Sequence, residues 1–126
     1  MEVLIAAMIS LRLFYQVNPP VCYDEPYLMG TFQNSTLTLC ENNAEEKGLE
    51  SETVVRHEMI HAAQSCNSGL LDPSRDYYEL LPDFPFLGYE PEVWDLEAEA
   101  RVLTNEMTSQ EVVNLTTELC NENRPW

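Results

Sequence analysis

Residues 53–64, TVVRHEMIHAAQ, decide how the rest of the chain is interpreted. They contain the motif H-E-x-x-H, whose His57 and His61 are the only two histidines in the chain. A spacing of four residues is slightly more than one helical turn, so both side chains leave one face of a helix and can share a metal ion. Glu58 can then reach a water molecule on that metal, which is the position of a general base. The alternative is an ordinary helix with two surface histidines, which is disfavoured in so histidine-poor a chain.

The composition predicts one folded domain with a strongly acidic surface. A length of 126 residues suits a single domain, 1–126, and 44% hydrophobic residues indicate a folded globule. The formal net charge is −16, and six Lys and Arg residues are too few for the clustered positive surface that phosphate binding needs. Nucleic acid is therefore not an expected partner. The acidity either steers basic substrates or partners to the surface or mainly keeps the protein in solution.

The four cysteines are Cys22, Cys40, Cys66 and Cys120, and no two of them form a C-x-x-C pair. Their spacing disfavours a second zinc site or a thioredoxin-type motif. Two disulfides are expected in an oxidising compartment and four buried thiols in a reducing one. The sequence leaves these two states open.

The first apolar stretch of the chain, residues 3–14, predicts a core helix. It is interrupted by Arg12 and is too short to span a bilayer. It also lacks the basic start and the A-x-A cleavage site of a signal peptide. We therefore predict a helix over 3–16 and no stable membrane insertion.

A small sheet is predicted between this helix and the motif. Residues 27–32 and 36–40 have strand character, and the polar residues 33–35 between them suit a hairpin turn. Residues 41–48 are polar and end in a glycine, so they predict a loop. This region therefore predicts an antiparallel hairpin before the motif helix.

The second half of the chain predicts three helices and one ordered loop. The loop, 72–91, is rich in Pro, Tyr, Phe and Asp and is expected to cover or line the site. Together with the hairpin, these elements predict an α+β domain that is mainly helical. The predicted helices run from the N-cap Ser51 to Cys66, over 92–107 after Pro91, and from a capping box at 108–111 to Leu119.

A catalytic zinc ion needs three protein ligands and one open position for water. Because there is no third histidine, the third ligand must be Asp, Glu or Cys. The predicted helix 92–107 offers Asp95, Glu97 and Glu99. Glu97 and Glu99 flank the apolar stripe of that helix on opposite sides, so helical phase does not choose between them. In the alternative interpretation all three are solvated residues of an acidic helix.

The motif helix followed by an acidic helix resembles the Glu-ligand zincins, which are zinc metallopeptidases. Many small zincins end their third-ligand motif as E-x-x-A, and Glu97-Ala98-Glu99-Ala100 is similar to that pattern. The resemblance implies a minimal zincin-like domain in which His57, His61 and Glu97 hold Zn²⁺. It places Glu97 ahead of Glu99 and Asp95 as the third ligand.

A narrower resemblance is to the mitochondrial ATP synthase assembly metalloproteases. It rests on residues 38–42, TLCEN, and 57–66, HEMIHAAQSC. That family has a cysteine-and-Asn strand end before its motif helix and a cysteine five residues after the second histidine. Cys66 stands at that position, and the similarity covers roughly 22–66 and 94–101.

The chain also departs from that family. Thirty-five residues, 62–96, separate His61 from Glu97, which is a longer gap than the family is expected to have. The family's cysteine-rich tail is missing apart from Cys120. The resemblance therefore implies the zinc-site chemistry and not the family's substrate or organelle.

These observations predict a zinc metalloendopeptidase that acts on a protein or peptide substrate. Zinc lowers the pKa of its bound water, and Glu58 takes the proton as that water attacks a peptide carbonyl. Glu58 then returns the proton to the leaving amine. Residues 37–39 are a candidate edge strand for an extended substrate, or else a strand that only closes the core. The candidate donors to the developing oxyanion are Tyr77, Tyr78, Tyr89 and Arg101.

Two other functions remain open at the level of the sequence. The first is a binding or assembly protein with a zincin fold and little or no proteolytic activity. Retention of Glu58 argues against it, because a pure binder needs no base. The second is a zinc-free helical adaptor, which requires the motif to be accidental.

Overall fold

The computed structural model describes residues 1–81 and 93–126. These residues form six α-helices and one three-stranded mixed sheet, which confirms the α+β class. The helices are α1 (Glu2–Ser10), α2 (Pro20–Asp24), α3 (Glu41–Glu46), α4 (Ser51–Cys66), α5 (Trp94–Glu106) and α6 (Ser109–Asn123). The strands are β1 (Phe14–Val17), β2 (Gly30–Gln33) and β3 (Thr36–Leu39).

The sheet contains the predicted hairpin and one strand that was not predicted. β2 and β3 pair antiparallel, and Asn34, at the turn between them, adopts a φ of 59°. β1 pairs parallel to β3 on its other side, so the strand order is β1-β3-β2. The predicted helix over 3–16 was wrong beyond Ser10, because Arg12 adopts a φ of 61° and the chain then turns into β1.

β3 is the central strand of the sheet, so of the two possibilities for residues 37–39 the structure has the strand that closes the core and not the edge strand. Leu37 and Leu39 are buried, and Thr38, which points to the opposite side, is buried as well. Because β1 and β2 pair with it on both sides, β3 has no free edge for a substrate. The edges belong to β1 and β2.

Residues 41–46 form a helix where the sequence predicted a loop. The side-chain amide of Asn43 in α3 donates to three main-chain carbonyls, and these contacts fix the segment before β2 against the helix. Such a helix depends on tertiary contacts rather than on an apolar period. The acceptors are Cys22 O at 2.8 Å, Glu25 O at 3.2 Å and Leu28 O at 2.8 Å.

The helical bounds in the second half are close to the predicted ones. α4 ends at Cys66 as predicted, but its N-cap is Glu50 and no side chain caps it, so the prediction of Ser51 was wrong. The capping box of Thr108 and Glu111 is confirmed, and α6 continues to Asn123 rather than Leu119. The predicted start of α5 at residue 92, after Pro91, and residues 82–91 of the predicted loop lie outside the described residues.

α4 is the centre of the core and contacts α5, α6, β2 and β3. Its residues Val55, Met59, Ile60 and Ala62 are fully buried. Two disulfides, Cys22–Cys40 and Cys66–Cys120, are formed, and the second ties the end of α4 to α6. Of the alternatives left open by the cysteine spacing, the structure therefore has the disulfide form. Within residues 1–81 and 93–126, no helix has the length and apolarity needed to cross a membrane.

Candidate metal centre

The motif helix presents its two histidines to an open cleft. His57 and His61 leave the same face of α4, and their Nε2 atoms are 3.2 Å apart. Their side chains are 19% and 16% exposed, so both are reachable from the cleft without being fully solvated. The predicted helical geometry of the motif is therefore confirmed.

Glu97 of α5 meets both histidines across the cleft. Its Oε1 lies 2.9 Å from His61 Nε2, and its Oε2 lies 3.3 Å from His57 Nε2. Within the described part of the chain, His57, His61 and Glu97 are the one group of three potential metal ligands, with ligand atoms within 4.8 Å of one another. Two imidazole nitrogens and a carboxylate oxygen are a donor set that suits zinc, and three ligands leave one position open.

The outer nitrogens of both histidines have acceptors that were not predicted from the sequence. Thr104 donates its hydroxyl hydrogen to Ala100 O at 2.6 Å, so its oxygen accepts from His57 Nδ1 at 3.4 Å. Gln64 Oε1 accepts from His61 Nδ1 at 2.7 Å. With a hydrogen on Nδ1, Nε2 is the nitrogen of each ring that faces Glu97: it donates to the carboxylate when protonated and offers its lone pair to a metal ion when it is not. Both histidines are therefore oriented for metal binding.

A sequence signal for these partners existed. Gln64 follows His61 by three residues on α4, and Thr104 follows Glu97 by seven residues on α5. Both spacings place the pairs on one helical face.

The charges of the site are strongly coupled. Burial alone would raise the pKa of Glu97, but hydrogen bonds to His57 and His61 outweigh it and lower that pKa to about 2. Burial alone would lower the pKa of His61, but the hydrogen bond to Glu97 and the charge of Glu58 raise it to about 9. Glu97 is therefore a carboxylate at neutral pH and attracts positive charge.

Glu58 lies against the site and is only 5% exposed. Burial is the main reason that its pKa is raised, and the nearby histidines act in the opposite direction. The backbone of Gly30 in β2 packs directly on it: a Cβ there would be 3.2 Å from Glu58 Cγ and 2.8 Å from Val54 Cγ1. A carboxyl group with a raised pKa accepts a proton more readily than an ordinary glutamate does.

The other two carboxylates considered for the third ligand point elsewhere. Glu99 is fully buried and accepts from three N–H groups, Gln64 Nε2 at 2.9 Å, Leu71 N at 2.8 Å and Asp72 N at 2.9 Å. Asp95 accepts a hydrogen bond from the Tyr78 hydroxyl. Of the three candidates, Glu97 is the one whose carboxylate joins the histidines.

The candidate donors to the oxyanion differ in whether they reach the cleft. Tyr77 is buried against Ala98 and behind α5, and burial followed by a hydrogen bond to Glu99 raises its pKa. Tyr78 is bonded to Asp95. Arg101 lines the cleft, and Tyr89 lies outside the described residues. Among the described candidates, Arg101 is the one with access to the cleft.

The cleft has a volume of about 1330 Å³ and runs between β2, α4 and α5. Both apolar and polar side chains line it, and all four residues of β2 border it. Its lining includes Gly30, Phe32, Val54, Leu96, Glu97 and Arg101. A binding space of this size accommodates several residues of a peptide.

Comparison of the chain with protein-family models, with curated proteins and with solved structures finds no significant match in any of the three.

Proposed function

We propose that the protein is a zinc-dependent peptidase with a minimal zincin-like fold. The observation that carries this proposal is the meeting of His57, His61 and Glu97, with Glu58 beside them, at the wall of an open cleft. The histidines lie on α4 and Glu97 lies on α5, and His57 and Glu97 are 40 residues apart in sequence. A solvated acidic helix gives no reason for one of its carboxylates to turn onto both histidines.

In the proposed mechanism His57, His61 and Glu97 hold zinc, which when bound polarises a water molecule and a substrate carbonyl. Glu58 accepts the proton from the attacking water and delivers it to the leaving amine. Its raised pKa makes Glu58 a stronger base than a solvent-exposed glutamate. Arg101 is the candidate donor to the developing oxyanion among the described residues.

An extended peptide is the proposed substrate form. β2, not β3, is the edge strand that borders the cleft, and among residues 1–81 and 93–126 no strand pairs with its outer edge, so that edge is the proposed site of backbone pairing. Its Gly30 lies next to Glu58, which brings a peptide on this edge close to the base. The net charge of −16 favours basic substrates during encounter.

The decisive experiment compares the wild type with Glu58→Gln. We expect about one zinc per chain in both proteins, because Glu58 is a base and not a ligand. Cleavage of an unstructured, basic protein should fall on the order of a hundred- to ten-thousand-fold in the variant. The melting temperature should not fall, because the substitution removes a buried carboxyl group of raised pKa.

The matched control is Glu118→Gln, which makes the same chemical change at an exposed residue of α6. It should cleave as the wild type does. If Glu58→Gln binds zinc and cleaves at the wild-type rate, the peptidase proposal fails and a zinc-binding assembly protein takes its place.

A further inference from the structure

We propose that Gln64 and Glu99 form a positioning relay that fixes the tautomer of His61. The relay runs from the buried carboxylate of Glu99, through the Gln64 amide, to the imidazole ring. It rests on the zinc site proposed above, since its purpose is to turn His61 Nε2 towards the metal. Neither residue is one of the proposed zinc ligands; Gln64 lines the cleft, but its amide is bonded to His61 and Glu99, so both residues act through His61.

The direction of the relay follows from the donors and acceptors at its two ends. The Gln64 amide nitrogen lies 2.9 Å from Glu99 Oε1 and 3.0 Å from Leu96 O. A carboxylate and a main-chain carbonyl only accept, so the NH₂ group must face them. Gln64 Oε1 is then left to face His61 Nδ1, at 2.7 Å. Because a carboxamide oxygen only accepts, the hydrogen must lie on His61 Nδ1.

Glu99 is fixed from the opposite side by main-chain donors. Leu71 N lies 2.8 Å from its Oε1, and Asp72 N lies 2.9 Å from its Oε2. Both amides lie in the segment that follows α4, so the relay connects His61 to that segment. The two main-chain donors hold the carboxylate in place, and its Oε1 also accepts from Gln64 Nε2.

Burial allows only one orientation of the Gln64 amide. Glu99 is fully buried and Gln64 is 3% exposed. A flipped Gln64 amide would place its NH₂ group against His61 and its oxygen against two acceptors, with no solvent to compensate. His57 is held less firmly, since the distance from its Nδ1 to Thr104 Oγ1 is 3.4 Å. The relay therefore gives His61 the stronger orientation of the two ligands.

The first test needs no variant. The chain has only two histidines, so long-range ¹H–¹⁵N spectra contain only two imidazole rings. Recorded on the zinc-loaded and on the chelator-treated wild type, they should show a His61 Nδ1 proton that exchanges slowly with water. A His61 Nδ1 without a proton, or with one that exchanges as in a solvent-exposed imidazole, overturns the relay.

The second test compares Gln64→Met with Thr104→Val. Each removes the outer partner of one histidine and keeps a side chain of similar size. We expect Gln64→Met to weaken zinc binding by about 10- to 100-fold in competition with a chelator, as for other outer partners of metal-bound histidines. It should also abolish slow exchange at His61 Nδ1. Thr104→Val should weaken binding less and alter the signal of His57 instead.

The outcomes separate the relay from the proposed function. A wild type that binds no zinc but keeps the slowly exchanging His61 proton refutes the zinc peptidase and supports the relay. Gln64→Met with wild-type zinc affinity and an unchanged His61 signal refutes the relay alone. If Gln64→Met does not fold, the spectrum of the wild type decides.

Discussion

The two sides of α5 each carry a glutamate, and these two glutamates have different surroundings and different partners. Glu97 faces the cleft, keeps 14% of its side chain exposed and meets two histidines. Glu99, two residues later, is fully buried and meets three N–H donors. The first is available to a metal, and the second has its lone pairs used by the fold. The role of a glutamate here is set by what the neighbouring elements offer it and not by its own chemistry.

The difference between Glu97 and Glu99 is tested most directly by removing each carboxylate in turn and measuring bound zinc. We expect Glu97→Ala to lose zinc, because it removes one of only three proposed protein ligands. Glu99→Ala should keep about one zinc per chain wherever it remains folded. Metal analysis of both purified proteins makes the measurement. Zinc loss in Glu99→Ala, with full occupancy in Glu97→Ala, would exchange the roles proposed for the two residues.

The same two variants should rank in the reverse order for stability. Glu99→Ala removes the buried acceptor of Gln64, Leu71 and Asp72; Gln64 keeps Leu96 O, but the part-buried amides of Leu71 and Asp72 lose their partner, at a cost of about 1–3 kcal/mol for each donor left unsatisfied. Glu97→Ala should cost less, because its surroundings are open to water. Urea unfolding in the presence of a chelator separates this effect from metal binding. If the two variants lose the same free energy of unfolding, Glu99 does not contribute more to stability than Glu97 does.

A smaller effect is expected where the cleft side meets the sheet. Gly30→Ala places a Cβ 2.8 Å from Val54 Cγ1 and 2.9 Å from Thr38 O, so the strand must shift. Overpacking of this kind costs about 1–3 kcal/mol. Because the same Cβ crowds Glu58, peptidase activity should fall while zinc content is kept. The control is Thr31→Ala, at the next residue of β2. An equal loss of activity in Thr31→Ala would show that the effect does not come from the packing of Gly30 on Glu58.

The smallest effect belongs to the capping box, which lies on neither side of α5. Hydrogen bonds from the backbone and then the side chain of Thr108 lower the pKa of Glu111 below its usual 4.5. Its contribution to stability is therefore present above about pH 4.5 and is lost as the pH falls through the lowered value. Glu111→Gln should melt slightly below the wild type at neutral pH, and the two should converge in acid. A constant difference across this range would show that Glu111 does not act through its charge.

Local patterns in the sequence determined the elements that depend on neighbouring residues. The H-E-x-x-H spacing places His57 and His61 on one face of any helix, and the Thr108–Glu111 box closes within one turn. The alternation around β3 and the polar turn at 33–35 were also sufficient for the hairpin. In each case the interacting residues are close in sequence, so a pattern can carry the information.

Tertiary structure alone decided the features that join distant residues. Helical phase left Glu97 and Glu99 equivalent, and they differ because α4 brings two histidines to one and Gln64 to the other. β1 exists because β3 offers it a parallel partner, and α3 because Asn43 finds three carbonyls of the preceding segment. The cysteine pairs likewise join separate elements. Hydrogen bonds and disulfides of this kind require two chain segments to meet, and the period of one segment does not contain the position of the other.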